Sequence, residues 1–394
     1  MHLFKQEPKF KFISKRWYAF ALSGLIVLGG LYVFVSRGFN WGIDFSGGTL
    51  IEVAFQQPTS INHLRSSLAA INLGDAQITR IGNENKFFIK TMSSLKKLNI
   101  RVEEKLQDIE EYEVVAREIR NGIMDEASRA QAAAGKIDLN NSAEGEIARF
   151  LRDKGIGDDD AQETARLAIA LRKSGSGIIG DFAELEKAGA KHRVVSLLRA
   201  ETFLGKFTFL SVEFVGPQVG KDLRRKAALA CIWALIGMLI YIAFRFKFLF
   251  GLSGILTLAH DVLIALSFIL FFRIEMSLQV IAALLTITGY SINDTIVVFD
   301  RLRDNLKFMK KDNLEAILDK SLNQTLSRSI FTSVTVLLTV LSLYLFGGEV
   351  IRPFAFTMLV GVIAGTYSTI YQSCAWLKVW ENSVLKRKKS GGRA

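Results

Sequence analysis

The sequence predicts a polytopic α-helical membrane protein, with six transmembrane helices and one α+β domain outside the membrane. Three observations predict it. Six apolar runs fall at 17–35, 227–244, 248–272, 276–299, 329–346 and 353–377, each near the roughly 20 residues of helix that a bilayer requires. Positive charge is placed unevenly along the chain. The long segment 37–225, between the first and second runs, alternates strand and helix patterns.

The net charge of +12 sits in four segments: residues 1–16 carry +4, Arg245 with Lys247 +2, residues 300–327 +1, and the tail 378–394 +5. These segments share one side of a membrane crossed six times, while the short loops opposite hold Arg273 and Arg352. That is the positive-inside pattern, with both termini cytoplasmic and 37–225 extracytoplasmic. The basic stretch 386–389 then faces anionic lipid or a cytoplasmic partner, and no nucleic acid is implied. The first run reads as an uncleaved anchor, because it is long for a signal segment and ends in 35–38 (VSRG) without a small-x-small cleavage site. Cys231 and Cys374 both lie inside predicted spans and offer neither a disulfide framework nor a metal spacing.

Within the outer segment, 49–55 alternates as a half-buried strand and 60–71 has helical spacing after Pro58-Thr59-Ser60. Residues 77–81 and 86–90 read as a hairpin around 82–85, 93–109 as a second amphipathic helix, and 112–119 as a strand. A β-α-β-β-α-β order points to a ferredoxin-like α+β domain. Residues 120–205 break the rhythm and read as a helical insertion. One helix starts near Asn141-Ser142-Ala143-Glu144, with Ile147, Phe150 and Leu151 on one face and Gly155 as its stop. A second opens at Asp158-Asp159-Asp160 and ends at Gly175, and a third covers 181–200. The three acids are read as a helix start, where cap bonding and the dipole favour them, rather than as metal ligands. A strand over 207–215 follows, and 216–220 turns the chain toward the second span.

The fourth span contains Asn293-Asp294 inside an otherwise apolar run. An Asp at a membrane helix centre costs about 2.5–3.5 kcal/mol, so something must offset it. In the fifth span Arg328, Thr332, Thr335, Thr339 and Ser342 fall on one helical face, beginning at the cytoplasmic end. An Asp294–Arg328 pairing, direct or through water, is the simplest offset. Its functional reading is a proton-responsive switch, since a proton crossing 100 mV carries about 2.3 kcal/mol; the alternative is a static polar clamp. His260 and Asp261 lie midway in the third span and, with Asn293, are candidates for proton coupling, helix–helix bonding being the alternative for the pair. Successive side chains diverge by about 100°, so His260 and Asp261 are expected to contact other helices rather than each other. Gly361 and Gly365 give small-xxx-small packing, and Pro353 is expected to open the last span. No nucleotide loop, nucleophile elbow or Cys/His metal pattern occurs, so neither an enzyme nor a cofactor is implied.

The residues 41–48 (WGIDFSGG), with Gly42, Asp44, Phe45, Gly47 and Gly48, resemble the G-x-D-F-x-G-G signature of SecF-type subunits of the SecD/SecF protein-export family. Residues 215–220, with Gly216, Pro217 and Gly220, resemble that family's second signature, and His260-Asp261, 289–295 and 300–303 resemble its membrane motifs. The resemblance covers about 1–119 and 206–380. It implies an RND-like six-span half in the bacterial inner membrane that pairs with SecD beside the Sec channel (SecY, SecE, SecG) and YajC. Such a unit uses the proton motive force to help draw unfolded polypeptide across, with Asp294 and Arg328 at the family's functional positions. Asp44 is expected to cap a turn at the membrane surface. The stretch 120–205 departs from the resemblance, and substrate binding, partner docking and a tolerated surface insertion stay open for it.

Overall fold

The computed structural model describes residues 8–82, 85–92, 111–174, 177–246, 248–309 and 312–380. The expected helix 93–109 and most of the basic tail lie outside the described residues. The chain divides into two units, Met1–Phe45 with Lys221–Ala394, and Ser46–Gly220.

In chain order, α1 (Arg16–Arg37) follows a short 3-10 turn, Ile13–Lys15. Strand β1 (Asn40–Trp41) and the single turn α2 (Ile43–Ser46) lead into β2 (Gly48–Phe55). Helix α3 (Ile61–Ala69) starts as expected, with Ser60 as its cap: His63 N donates to Ser60 Oγ at 3.1 Å. Strands β3 (Gln77–Ile81) and β4 (Lys86–Thr91) form the hairpin. Residues expected as a strand at 112–119 are instead part of α4 (Glu111–Ile123). Val115 and Ile119 recur at helical spacing and are buried in the sheet's core, a pattern that eight residues alone do not separate from alternation.

The insertion contains α5 (Glu126–Ala133), β5 (Ile137–Asp138), α6 (Glu144–Asp153), α7 (Asp158–Ser174), α8 (Ala183–Lys187), α9 (His192–Glu201) and β6 (Thr202–Phe203). The helix expected over 181–200 is thus two, divided at Gly189, whose φ is +112°. Helix α6 is capped one residue later than its sequence suggests, by Glu146 reaching back to Ala143 N at 3.3 Å. The acids opening α7 pair with bases: Asp158 with Arg152 at 2.6 Å and Asp160 with Lys191 at 2.7 Å.

Strand β7 (Phe207–Val215) completes a four-stranded antiparallel sheet of order β3-β4-β2-β7. That is the connectivity of a split β-α-β unit, with its last strand supplied by 207–215 rather than 112–119. The insertion has its own core of Leu139, Ile147, Leu151, Ile179, Leu185, Val195 and Leu198, separate from the core beneath the sheet. Asn140 ties the insertion to the entry of β7. Its amide donates to the carbonyls of Ile179 (3.1 Å) and Gly205 (2.7 Å) and accepts from Ile179 N (2.9 Å).

The remaining elements are α10 (Pro217–Arg245), α11 (Phe248–Phe271), β8 (Glu275–Met276), α12 (Leu278–Phe308), α13 (Leu314–Phe346), α14 (Gly348–Tyr371) and α15 (Ser373–Val379). Among the described residues six helical segments are long and apolar enough to cross a membrane, as the sequence predicts. Three boundaries differ. Pro217 starts α10 rather than belonging to a turn, as suits a residue with no N–H to offer the helix. Charged residues after 299 continue α12, and α13 begins at Leu314, because Leu302, Leu318 and Leu322 keep an apolar stripe that packs on Phe299. Pro353 lies inside α14, which already begins at Gly348.

Before α1, the chain lies along α13. The backbone N–H groups of Phe12 and Ile13 both donate to Asp319 Oδ1 at 2.9 Å, and Asn323 exchanges two bonds with the Phe10 backbone. The bundle holds two apolar cores, one around Phe250, Phe299 and Leu318, the other around Ala265, Ile287 and Val362. Between them lies a band of buried polar side chains that includes Asp261, Ser291, Asp294, Thr295, Ser368 and Thr369.

Candidate functional site

Within this band the structure separates two carboxylates. Asp261, on α11, is fully enclosed and saturated with donors. It accepts from Ser291 Oγ of α12, from Ser368 Oγ of α14 at 2.9 Å, and from His260 Nδ1 at 2.9 Å. His260 and Asp261 therefore do meet, against the sequence expectation. Their Cβ directions diverge, but the imidazole is long enough to curve back to its neighbour's oxygen. The other ring nitrogen of His260 lies 2.8 Å from Ser23 Oγ of α1, and Ser23 accepts from Gln372 Nε2 at 3.0 Å. A neutral imidazole with its proton on Nδ1 closes the set: Nδ1–H donates to Asp261, Nε2 accepts from Ser23, and Ser23 accepts from Gln372. Tyr367 adds a bond from its hydroxyl to the Ala19 carbonyl at 3.0 Å. Four helices, α1, α11, α12 and α14, are joined through this one cluster.

Asp294, on α12, is nearly as buried but poorly served. Its Oδ1 accepts from Thr332 Oγ1 at 3.4 Å, and its Oδ2 has no hydrogen-bond partner among the described residues. A direct salt bridge between Asp294 and Arg328 is not formed: Arg328 is exposed and, among the described residues, makes no ion pair. Since α13 begins at Leu314, Arg328 lies well inside that helix rather than in its first turn, and its side chain leaves the bundle. Near Asp294, Tyr290 donates to Ser333 Oγ at 2.8 Å, Thr366 donates to the same oxygen at 2.7 Å, and Ser329 Oγ is buried without a partner.

The predicted polar stripe divides. Thr332 Oγ1 lies within reach of Asp294 Oδ1 but closer to the carbonyls of Arg328 (3.1 Å) and Ser329 (3.0 Å), whereas Thr335 and Thr339 bond only back to carbonyls of their own helix among the described residues and, with Ser342, are exposed. Asn293 is also exposed, beside Gly289, whose missing side chain leaves open space.

The glycine motif is explained by close approaches. Gly47 and Gly48 have φ of +72° and +128°, and a side chain on Gly48 would stand 2.4 Å from the Thr91 carbonyl oxygen. A side chain on Gly47 would stand 2.9 Å from Pro217 Cα, so the two signatures meet at one corner. Gly216 precedes the start of α10, and Gly220 is buried in its first turn. Gly42 N donates to the Met276 carbonyl at 2.8 Å, where β1 pairs in parallel with β8. Phe45 is buried in the adjoining core. Asp44 is a cap, but of a distant helix: its Oδ2 accepts from Leu278 N, at the start of α12, at 2.8 Å. The sequence reading missed Ser23, Ser291, Ser368 and Gln372, whose meeting depends on helix packing that periodicity alone does not give.

Fold and site together define a polytopic membrane protein with ionisable groups inside its helix bundle, the class to which transport and translocation proteins belong. Residues 196–383 match the family described as protein export membrane protein SecD/SecF, C-terminal, and residues 32–59 match the SecD/SecF GG motif. The protein translocase subunit SecF of Koribacter versatilis is 36% identical over 97% of this chain and 94% of its own length. That of Calditerrivibrio nitroreducens is 35% identical over 94% of this chain and 93% of its own. The crystal structure of SecDF, a translocon-associated membrane protein from Thermus thermophilus, superposes with a TM-score of 0.64 at 29% identity. It covers 96% of this chain, which spans 40% of that longer one. The chain belongs to the SecF family of protein translocase subunits.

Proposed function

We propose that the chain is an accessory subunit of the Sec machinery in the bacterial inner membrane. It pairs with a SecD partner and couples the proton motive force to the movement of secreted polypeptide. The observation that carries this reading is Asp294: a buried carboxylate with one oxygen unserved, next to a polar helix face that this chain leaves uncovered. An oxygen without a donor is a place for a proton, and protonation removes the charge that burial penalises. Arg328, Thr335, Thr339, Ser342 and Asn293 form the face against which a homologous six-span partner packs, bringing its own polar groups to Asp294. The likeness to 40% of the longer SecDF chain supports such a second half. On this reading both termini are cytoplasmic, the unit Ser46–Gly220 is extracytoplasmic, and the Sec channel (SecY, SecE, SecG) with YajC completes the assembly.

The test is gradient-dependent export of a secreted reporter in cells carrying Asp294→Asn or Arg328→Ala, with membrane levels checked. Both variants are expected to accumulate normally and to export about tenfold less, in the range of ordinary coupling energies. Normal export by both would reduce the site to a structural clamp. Failure to co-purify with SecD would remove the pairing.

A further inference from the structure

A cavity of about 260 Å³ opens between α10, α11 and α12, near the segment that follows α1. Its wall is apolar, with Phe45 from that segment, Ala228, Cys231 and Leu235 from α10, Leu266 from α11 and Leu285 from α12. Among its lining residues Arg224 alone is charged, and its guanidinium lies 5.5 Å from the centre of the Trp41 ring. Arg224 belongs to a basic turn: Lys221, Arg225 and Lys226 accompany it, with Asp222 the only acid in that run. Among the described residues none of these four cations makes an ion pair. Lys221, Arg224 and Ala228 share one face of α10: Arg224 and Ala228 line the cavity, and Lys221 lies one turn nearer the start of the helix.

The size decides what can enter. The apolar space suits an extended hydrocarbon segment, which is far thinner than the roughly 10 Å of a helix, and the bilayer offers one on every side. The charge decides which lipid: an arginine without a carboxylate partner, flanked by a lysine, matches a phosphate that carries a net negative charge. We propose that the cavity holds part of one acyl chain of an anionic phospholipid, whose phosphate is bound by Arg224 and Lys221. The interfacial Trp41 stacks beneath the guanidinium and holds it at the level of the headgroups. The site requires only a bilayer around the bundle, and it is independent of any proton role for Asp294.

Native mass spectrometry of the full chain, titrated in detergent with phosphatidylglycerol or phosphatidylcholine, reads lipid retention directly. Phosphatidylglycerol is expected to be retained at about tenfold lower concentration, the effect of one charge-assisted contact. Arg224→Gln with Lys221→Gln should abolish that preference, and Arg224→Lys should keep most of it. Ala228→Phe, which fills the cavity, should reduce retention of both lipids. Equal retention of the two lipids by the parent chain would overturn the proposal. So would an unchanged preference in the double variant, or unchanged retention in Ala228→Phe.

Discussion

Asp261 and Asp294 are both buried in the helix bundle, yet they are surrounded in opposite ways. Asp261 receives bonds from its own helix and from two others, and its histidine partner extends the network to a fourth. Asp294 has one long bond from a threonine and a bare oxygen. Burial alone therefore does not mark a working carboxylate. A saturated one holds helices together, because every alternative leaves its partners unpaired in a medium that cannot hydrate them. An unsaturated one keeps a position open for a proton or a partner group.

The sharpest way to break this contrast is to remove each carboxylate. Asp261→Leu should destabilise the bundle by about 3–5 kcal/mol, because three buried donors lose their acceptor at roughly 1–3 kcal/mol each. It should be visible as lost membrane accumulation and a lowered unfolding midpoint in detergent. Asp294→Asn should leave both almost unchanged. If the two variants lost stability equally, the distinction would be void.

A smaller effect probes whether α1 is held by the same cluster. A side chain at Gly30 would stand 2.2 Å from Ser267 Oγ and 2.8 Å from Ser267 Cα. Gly30→Val should push α1 off α11, strain the Ser23–His260 bond, and cost about 1–3 kcal/mol in thermal unfolding. Ser23→Ala then isolates the bond itself. It should cost about 0.6 kcal/mol, the mean for a hydrogen bond between membrane helices. A loss as large as that of Gly30→Val would mean that Ser23 supports more than His260.

A third carboxylate, outside the bundle, sets the bottom of the scale. The Lys206 side chain, 2.5 Å away, and Ser128 hold Asp125 down to about 2, from an ordinary 3.8. A depressed folded-state pKa stabilises at pH above the unfolded value and is lost as pH falls through the folded one. The unit should therefore weaken between about pH 4 and 2 by less than about 1 kcal/mol, since the pair is substantially exposed. Lys206→Met should flatten that part of an acid unfolding curve. Buried Asp138 behaves oppositely, because enclosure raises its pKa against the pull of bonds from Asn141, Gly205 and Asn140.

The membrane spans were legible because a bilayer imposes composition over some twenty residues at a time, and β7 was legible because its alternation is uninterrupted between turns. Ends of helices were less so. Charge after Phe299 looks like a loop, until Leu302 and Leu318 are seen to continue one buried stripe through it. Residues 112–119 failed because Val114-Val115 and Ile119 satisfy two periods at once, and only packing beneath the sheet chooses between them. For the site, the intramembrane acids announce themselves by cost, so Asp261 and Asp294 could be found. Their partners could not. Arg328 shares a helical face with Thr332 in the sequence, but only Thr332 turns inward. Ser23 is one small hydroxyl in an apolar run, and nothing in that run marks it as the partner of a distant histidine.

The strap before α1 has a consequence for how the chain is made. Phe12 and Ile13 bind Asp319, which lies 307 and 306 residues further on. At synthesis rates of about 5–20 residues per second, the partner carboxylate emerges roughly 15–60 seconds after the segment that needs it. Throughout that interval the first anchor is already in the membrane with its leading residues unpaired. The strap therefore reaches its final pairing only once the residues around Asp319 have been made.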